Sequence, residues 1–483
     1  MKILQYKIVA TILGMLFGTY SLTVSANYTQ KNVSKVQEII EAVISAYGGE
    51  EKLNGMNTIV TDYKIKTVQA GQSLKPEPPW DTRTGSRLDI YDFEHQIMIN
   101  QTSGNGGGGG NPFSATTIID GDNSYNLDNK SKTKVKISAA NFDTSSGPGI
   151  RINGTLLAKK LIDNRNSSRF LDTVLFNSSK HDLVSFTLPG GPAITLYIDQ
   201  KNHTISKSER VLGAFLVEYY FNDYKMVDGI LFPHDNYYSI NGDTAQTYSV
   251  KSYLVNSPVD KYKIVPENYT EQEAAPPTPM TTVDMGDGVY WITQNNQNSL
   301  FVEFNDHIVM LGGLPGVAQR IEEVRKVLPK KPIKLAVLTH HHNDHIGGSQ
   351  EIQDAGIKFV TVEEHQQVVR DSLAENDQKS STFDLVKGKR VYEDSSQRLE
   401  LIDIGPTPHT EHLILPYLPK QGIIFESDHF NAPAVGPMPP RSPRLARLVQ
   451  AIQERKLNVK KITSAHSPIV TTMQQLMESY NKK

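Results

Sequence analysis

The hydrophobic pattern near the start of the chain predicts one amphipathic helix. Apolar residues recur at intervals of three and four positions from Val36 to Tyr47, which places them on a single helical face. Gly48 and Gly49 follow directly, and glycine is common where a helix ends. We therefore expect a helix that packs one face against a core and ends at these two glycines.

After this helix the pattern becomes that of β-strands. From about residue 58 to residue 255, short segments rich in β-branched and aromatic residues alternate with turn sequences such as Asn241–Gly242. The predicted strands include Asp62–Thr67, Thr116–Ile119, Leu183–Phe186, Ile194–Ile198 and Phe215–Tyr220. They predict an N-terminal domain over residues 27–265, a curved, largely antiparallel sheet packed on the first helix. The run Gly106–Gly110 is predicted to be a flexible loop, since a phosphate cradle needs a strand before it and a helix after it.

A linker is predicted at residues 266–282, because Glu271–Pro279 is too polar and proline-rich for a core. Beyond it, strands and helices alternate. The predicted strands are Gly288–Ile292, Leu300–Phe304, His307–Leu311, Ile333–Leu338 and Lys358–Val362, with helices at Gly316–Leu328 and Gly347–Ala355. This alternation indicates a layered domain of sheets and helices over residues 283–483.

Composition narrows the class of protein. A length of 483 residues suits two domains, with three as the alternative. The formal charge of −2 argues against nucleic-acid binding, which needs a concentrated basic face. The partner that we expect is a small-molecule substrate. The chain has no cysteine, which excludes disulfides, zinc–thiolate sites and thiol catalysis. A bound metal would therefore need histidine and carboxylate ligands.

The first 26 residues have the pattern of an export signal peptide. Lys2 and Lys7 lie near the start, and an apolar stretch runs from Ile8 to Val24. The segment Val24–Ala26 supplies the small residues of a cleavage site. We expect cleavage after Ala26 and a periplasmic or secreted protein without a stable membrane span. An uncleaved membrane anchor is the alternative.

Four potential metal ligands crowd onto one short turn after the predicted buried strand Ile333–Leu338. They are His340, His342, Asp344 and His345. Side chains at the carboxyl end of a strand point into the crevice where such domains bind ligands. Neighbouring imidazoles repel each other when protonated and lack partners when buried, and a metal ion removes both problems. A solvated polar loop or a fortuitous cluster is the alternative.

Alternation along this turn indicates two directions of approach. His340 and His342 should point the same way, whereas Asp344 and His345 stand at the entrance of the next helix. The second pair can therefore face a second ion.

The order Thr339-His340-x-His342-x-Asp344-His345-x-Gly347-Gly348 resembles the signature of the metallo-β-lactamase fold superfamily. The resemblance covers the chain from about Gly286 onward and implies an αββα sandwich, so that the whole protein is of the α+β class. It also implies three further ligands in order: His409 in Gly405–Thr410, Asp428 in Ile423–Phe430 and His466 in Ser464–Ser467. His409 would complete the first metal site, Asp428 would bridge two metals, and His466 would serve the second.

The resemblance implies a hydrolase with two divalent metal ions. Histidine and carboxylate ligands favour zinc, although iron or manganese also suits them. A hydroxide that bridges the metals would cleave an ester, thioester, lactone or amide bond, with Asp344 as the catalytic residue that both binds metal and orients the nucleophile. Hydrolysis of β-lactams is one alternative; a ligand-binding protein with a non-catalytic metal domain is another.

Two features depart from the pattern or add to it. Gly312 and Gly313 stand where the family has an aspartate that braces the metal loops, which puts the rigidity of the site in doubt. His412 and His429 lie beside ligand motifs. Each is interpreted either as a substrate contact or as packing around the ligands.

The N-terminal domain has a fainter resemblance. The segments Ala46–Leu53, Leu231–Asp235 and Val255–Val259 resemble parts of periplasmic lipoprotein-carrier-like domains. In those domains a curved sheet holds an acyl chain against helices. The resemblance implies a lipid or other hydrophobic ligand on this domain.

Overall fold

The computed structural model describes residues 32–106, 110–138, 140–273 and 279–482. The predicted signal peptide, the middle of the glycine run and residues 274–278 of the predicted linker lie outside the described residues. The chain forms two compact units. The first comprises Met1–Thr67, Thr84–Gly104 and Phe113–Glu273, and the second comprises Val68–Arg83, Asn105–Pro112 and Ala274–Lys483. Two segments from the N-terminal half thus belong to the second unit. In the sequence analysis, by contrast, each domain is one continuous range of residues.

The first unit is built on one sheet of 14 strands. The strands are β1 (Thr58–Val68), β2 (Thr82–Asp92), β3 (Ile97–Gly104), β4 (Phe113–Ile119), β5 (Tyr125–Asp128), β6 (Thr133–Lys136), β7 (Arg169–Phe176), β8 (Ser179–Thr187), β9 (Ala193–Asp199), β10 (Ile205–Leu212), β11 (Phe215–Val227), β12 (Ile230–Ile240), β13 (Asp243–Val255) and β14 (Thr270–Gln272). Their order is β14-β6-β5-β4-β3-β2-β1-β13-β12-β11-β10-β9-β8-β7. From β2 to β6, and again from β7 to β13, each strand pairs antiparallel with the next strand along the chain. Strand β1 pairs antiparallel with β13, and β14 lies parallel to β6.

One hairpin of this sheet shows directly how the sequence specifies a turn. Asn241 and Gly242 join β12 to β13 with φ angles of 51° and 90°. A two-residue hairpin of this kind needs positive φ at both positions, which asparagine and glycine adopt most readily. The turn lies where the sequence predicts it.

Helices cover one face of the sheet in the first unit. They are α1 (residues 32–46), α2 (Glu50–Asn54), α3 (Phe142–Arg151) and α4 (Gly154–Asp163). The apolar face of α1, including Ile40 and Val43, shares one buried cluster with Leu157 of α4 and with strand residues such as Phe232. The hydroxyl of Tyr47, just after α1, lies 2.7 Å from that of Tyr224 and accepts a hydrogen bond from the Ile205 backbone.

Helices α3 and α4 lie in a region where the sequence pattern predicts only strands. Helix α3 contains Pro148 between two glycines, residues that disfavour a helix interior. The side chains of Asn141 and Asn153 cap the two helices by accepting hydrogen bonds from backbone N–H groups. Caps and burial therefore outweigh the poor intrinsic propensity of α3.

The second unit contains two sheets. The first sheet has the order β15-β16-β17-β18-β19-β20-β21 and the second the order β22-β23-β24-β25-β26-β27. The strands are β15 (Thr281–Gly286), β16 (Val289–Gln294), β17 (Gln297–Glu303), β18 (Ile308–Leu311), β19 (Ile333–Val337), β20 (Lys358–Val362), β21 (Phe383–Val386), β22 (Lys389–Glu393), β23 (Arg398–Asp403), β24 (Ile414–Leu418), β25 (Ile423–Glu426), β26 (Lys461–Ser464) and β27 (Thr471–Thr472). Strands β14 and β15 thus include parts of the predicted linker.

The helices of the second unit lie outside the two sheets. They are α5 (Val317–Arg325), α6 (Asn343–Ile346), α7 (Ser349–Asp354), α8 (Gln366–Asp371), α9 (Glu375–Gln378), α10 (Pro443–Glu454) and α11 (Met473–Asn481). One buried cluster joins the sheets to each other, through residues such as Leu300 and Phe425. Two further clusters join α5, α7 and α8 to the first sheet and α10 and α11 to the second. The layers are therefore αββα, as the resemblance implies.

No helix within the described residues is both long enough and apolar enough to cross a membrane.

Candidate metal centre

The predicted ligands lie on loops that follow strands of the second unit. His340 to His345 come after β19, and His409 comes after β23. Asp428 and His466 come after β25 and β26, which are parallel neighbours. Because parallel strands end at the same edge of a sheet, these two loops start side by side.

The structure brings all seven predicted ligands into two groups. One group comprises His340, His342 and His409, and the other comprises Asp344, His345, Asp428 and His466. Within each group the candidate ligand atoms all lie within 4.8 Å of one another. The division matches the two directions expected along the turn after β19.

The carboxylate of Asp428 connects the two groups. Its Oδ2 lies 2.7 Å from Nε2 of His345. The same oxygen lies 3.1 Å from Nε2 of His409 and 3.2 Å from Nε2 of His340. The other oxygen, Oδ1, lies 3.4 Å from Nε2 of His466. One carboxylate therefore faces imidazoles of both groups, which is the position of a bridging ligand.

Burial keeps the imidazoles of the first group neutral. It lowers the pKa of His342 to about 2 and the pKa of His340 well below its usual value, and neighbouring histidines add to both effects. The pKa of His409 is lowered by burial as well, against the hydrogen bond to Asp428. A neutral imidazole has a free nitrogen lone pair, which is the form that binds a metal.

The carboxylates remain ionised despite burial. Burial works to raise the pKa of Asp428, but the electrostatic interaction with His345 and hydrogen bonds from His340, His345 and His409 hold it well below its usual range. Burial also works to raise the pKa of Asp344, but a hydrogen bond from His466 helps to lower it, and the pKa is lowered overall. The site therefore combines anionic oxygens with the neutral imidazoles of the first group.

The donor atoms fit divalent cations. Nε2 of His466 lies only 3.1 Å from Nε2 of His345, with the carboxylate of Asp428 beside both. Nε2 of His342 lies 2.9 Å from the backbone oxygen of Ser73, while its Nδ1 has no hydrogen-bond partner among the described residues. A proton on Nε2 therefore leaves the Nδ1 lone pair available as a ligand. Nitrogen and oxygen donors without sulfur are typical ligands of zinc, iron and manganese.

A loop far away in sequence supports the metal turn. This loop, residues 69–75, belongs to the second unit and is called the Gln72 loop. The side-chain amide of Gln72 donates a hydrogen bond of 2.7 Å to Oδ1 of Asp344. The backbone oxygen of Ser73 lies 2.9 Å from Nε2 of both His341 and His342. Asn343 N donates to the backbone oxygen of Gly71 at 2.9 Å.

Sequence reasoning missed the Gln72 loop. Its contribution comes mainly from backbone oxygens and one amide, and no residue type in it suggests a metal centre. Hydrogen bonds to the second nitrogen of a ligating histidine fix its tautomer and orientation. The Gln72 loop therefore does this for His342.

The glycines at the expected position of an aspartate make close backbone contacts instead. The backbone oxygen of Gly313 accepts a hydrogen bond of 2.8 Å from Gly348 N. A Cβ on Gly313 would lie 2.8 Å from the backbone oxygen of His345 and 2.2 Å from Cδ2 of Leu338. The sequence alone indicates a missing brace here, whereas the structure supports the turn through this backbone contact and through the Gln72 loop.

The additional histidines have different surroundings. His412 Nδ1 lies 2.8 Å from Oδ2 of Asp403, so that this side chain is part of a hydrogen-bonded pair at the end of β23. His429 is 3% exposed, and its ring centroid lies 5.9 Å from that of His409. Sequence reasoning also missed the buried neighbours His341 and His365, whose ring centroids lie 4.9 Å apart.

Comparison with known proteins bears on this second unit. Residues 292–466 match the family model of the metallo-beta-lactamase superfamily. No curated protein matches the chain. Among solved structures, the metallo-beta-lactamase FIM-1 from Pseudomonas aeruginosa, in a mono-zinc form, is 23% identical, with 42% of this chain and 94% of that chain covered and a TM-score of 0.33.

A metallo-beta-lactamase from Pontibacter korlensis is similar to this chain over the same share. It is 20% identical, with 42% of this chain and 97% of that chain covered and a TM-score of 0.34. The match of the family model agrees with the αββα layers and with the motif after β19. The segment from residue 292 to residue 466 is therefore a domain of the metallo-beta-lactamase superfamily.

Proposed function

We propose that this protein is an exported hydrolase that depends on two metal ions and cleaves an ester, thioester, lactone or amide bond. The observation that carries the proposal is the position of Asp428. Its two carboxylate oxygens face the imidazoles of both histidine groups at 2.7–3.4 Å. Two cations that share this carboxylate would lie side by side, as two-metal hydrolysis requires.

The two groups define which residues would hold which ion. His340, His342 and His409 would hold the first cation; Asp344, His345 and His466 would hold the second, with Asp428 shared. Two divalent cations, which we expect to be zinc, supply activated water near neutral pH and polarise the substrate oxygen. Iron or manganese suits the same donors.

Asp344 is the candidate catalytic residue. Its side chain is 44% exposed, whereas that of His345 beside it is 1% exposed. Gln72 holds Oδ1 of Asp344, and Oδ2 lies 3.3 Å from Nε2 of His466. A fixed but accessible carboxylate can accept a hydrogen bond from the attacking water and orient it towards the substrate.

The test combines metal analysis of the purified full chain with a hydrolysis screen over lactams, lactones, thioesters, carboxylic esters and phosphodiesters. We expect two divalent ions per chain and turnover of at least one of these bond types. His342→Ala and Asp344→Ala should abolish the turnover and lower the metal content. His95→Ala, which removes a 65% exposed histidine of the first unit, is the control and should change neither. Unchanged turnover in both ligand variants would overturn the proposal.

Export and a hydrophobic ligand on the first unit are separate predictions. The predicted cleavage after Ala26 is checked by N-terminal sequencing of the mature protein. The hydrophobic ligand is checked by extraction and mass spectrometry of lipid from the purified full chain.

A further inference from the structure

The hairpin that joins β10 to β11 in the first unit has an apolar tip. Leu212 pairs with Phe215 across the turn, and Val211 pairs with Leu216. A Cβ on Gly213, in the turn itself, would meet no atom within 4 Å apart from its chain neighbours. We call the segment from Val211 to Leu216 the hairpin tip. No other part of the described chain covers its turn.

Both faces of the hairpin tip are exposed. Directly opposed residues of a strand pair share a face, and neighbouring residues point to opposite faces. Val211 and Leu216 share one face and are 61% and 37% exposed, respectively. Leu212 and Phe215 share the other and are 48% and 53% exposed, respectively. An antiparallel sheet in water usually has one apolar face, which packs on a core, and one polar face. The hairpin tip is apolar on both.

Two arginines lie behind the hairpin tip, on the face of Leu212. Arg210 precedes Leu212 by two residues, which is about 7 Å along a strand. Arg151, in α3, is 8% exposed and donates a hydrogen bond to the hydroxyl of Tyr219. Tyr219 lies two positions beyond Val217, the partner of Arg210 in β11. Apolar side chains, Arg210 and then Arg151 therefore follow one another inward from the turn.

The pair Arg151 and Arg210 lacks an anionic partner. Neither guanidinium forms an ion pair with a carboxylate in the part of the chain that the structure describes, and Nε of each is buried there without a hydrogen-bond partner. Burial lowers the pKa of Arg151, and the charge of Arg210 lowers it further. Like charges that approach each other in a partly buried site are costly. An anion that contacts both arginines would remove this cost.

The carboxylates on the opposite face of the same strands already have a cation. Lys207 lies 2.8 Å from a carboxylate oxygen of Glu209 and 2.9 Å from one of Glu218. These two carboxylates therefore do not neutralise the arginine pair, and its positive charge remains for an external anion.

The order of apolar and charged groups matches the layers of a phospholipid leaflet. Segments that bind at a membrane interface bury their apolar side chains about 5–10 Å into the boundary between headgroups and acyl chains. With the hairpin tip at this depth, Arg210 would lie about 7 Å further out, among the phosphates. Arginine binds phosphate through several N–H groups. Acyl chains also surround an inserted segment on all sides, which suits a tip that is apolar on both faces.

We propose that the hairpin tip and the pair Arg151 and Arg210 dock this protein on the surface of a bilayer that contains anionic phospholipid. The attachment is peripheral and reversible, because so short an apolar segment buries far less apolar surface than a spanning helix. It is independent of the proposed hydrolysis. It also differs from a lipid held within the first unit, since the bilayer lies outside the protein.

The first measurement locates the contact with a fluorescent label. The chain has no cysteine, so Phe215→Cys in the full chain provides a single site for an environment-sensitive fluorophore. With vesicles of equal parts phosphatidylglycerol and phosphatidylcholine, we expect emission at shorter wavelength, because the label leaves water. A label at Leu175→Cys, which replaces a 75% exposed leucine of β7, is the matched control and should not shift. Vesicles of phosphatidylcholine alone should shift the label at position 215 less.

The second measurement is co-sedimentation of unlabelled full chain with the same vesicles. The double variant Leu212→Ser and Phe215→Ser should bind phosphatidylglycerol vesicles about 10- to 100-fold more weakly, because it buries less apolar surface. Arg210→Gln should bind them about 5-fold more weakly, since one charge near an anionic surface is lost. Leu175→Ser and Arg169→Gln, two exposed positions of β7, are the controls and should bind as the unmodified protein does.

The label decides the outcome, because it reports on the hairpin tip alone, whatever other segment contacts the vesicles. An unshifted label at position 215 would overturn the inference. Equal shifts with and without phosphatidylglycerol would overturn the role of the arginine pair. An unshifted label together with a dimer that the double variant dissociates would assign the hairpin tip to a second copy of the chain, and would likewise overturn docking on a bilayer.

Discussion

The side-chain amide of Gln72 donates a hydrogen bond of 2.7 Å to Oδ1 of Asp344, across 272 positions of sequence. The bond occupies one oxygen of the candidate catalytic carboxylate and leaves Oδ2 directed towards His466, 3.3 Å away. A residue from the N-terminal half of the chain thereby sets the orientation of a metal ligand in the C-terminal half.

Replacement of Gln72 by alanine should weaken metal binding by the group that contains Asp344. We expect about a 10- to 100-fold loss of affinity for one of the two ions, because the ligand loses the partner that orients it. Competition with a chromophoric zinc chelator measures the effect. Gln69→Ala changes another glutamine of the same loop, one for which no side-chain hydrogen bond is found in the described part of the chain, and should keep the original affinity. Equal affinities of the two variants would contradict the role of Gln72.

Removal of metal should destabilise the second unit. An ion that binds only the folded state, present at about 100 times its dissociation constant, adds about 2.7 kcal/mol to the free energy of unfolding. Thermal unfolding with zinc and with a chelator should therefore show a higher Tm with zinc. In Asp428→Asn the difference in Tm between zinc and chelator should shrink, because the carboxylate that faces both ligand groups is lost. A Tm that does not respond to chelation would argue against metal binding in the folded protein.

Substitution of alanine for Gly313 should disrupt the turn that holds His345. The new Cβ would lie 2.8 Å from the backbone oxygen of His345, closer than side-chain carbons approach backbone, so the loop would have to move. We expect a loss of about 1–3 kcal/mol in the free energy of unfolding, together with a reduced zinc content. Urea unfolding and metal analysis measure the two effects.

The matched control for this variant is Gly191→Ala. Its Cβ would meet atoms at 3.8 Å, which is ordinary van der Waals contact. This variant should keep its zinc content and its stability to within about 0.5 kcal/mol. Equal behaviour of Gly313→Ala and Gly191→Ala would show that the close contact at Gly313 is unimportant.

The stability of the first unit should depend on pH through Glu218. Burial works to raise the pKa of Glu218, but the hydrogen bond and charge of Lys207, at 2.9 Å, lower it overall. A carboxyl group with a lowered pKa stabilises the fold above its unfolded pKa of about 4.3, and the contribution is lost as pH falls through the folded pKa. The free energy of unfolding of Glu218→Gln should therefore be about 2 kcal/mol lower than that of the unmodified protein at pH 7. This difference should fade as the pH falls below the unfolded pKa and through the lowered pKa of folded Glu218.

Denaturant unfolding at a series of pH values measures this difference. Glu51→Gln, at an exposed position, is the control and should follow the unmodified protein at each pH. A difference for Glu218→Gln that stays constant throughout acid titration of the folded protein would show that the ionised pair with Lys207 does not stabilise the unit.

The ligands that the residues alone indicated are those that lie close together in sequence. His340, His342, Asp344 and His345 occupy one turn after β19, so their convergence follows from local geometry. His409, Asp428 and His466 carry no such local signal, since a single histidine or aspartate after a strand is ordinary. They were predicted from the resemblance that the first motif suggested, and the structure places them within the same two groups.

Elements with regular periodicity were predictable, and elements held by capping or by burial were not. The helix over residues 32–46 has an apolar face at helical spacing and ends before Gly48. Helix α3 contains Pro148 between two glycines and lacks that signal. Its helical state depends on its cap and on burial of side chains such as Ile150 in the core.

The sequence by itself determined the layered class of the second unit, the cluster of ligands on one turn and the absence of thiol chemistry. Each of these follows from residue type and short spacing, which the chain carries locally. Only the tertiary structure decided that Gln72 holds Asp344, that Ser73 orients His342 and that Arg151 lies close to Arg210. A hydrogen bond between residues 272 positions apart depends on the path of the whole chain, and no local pattern records that path.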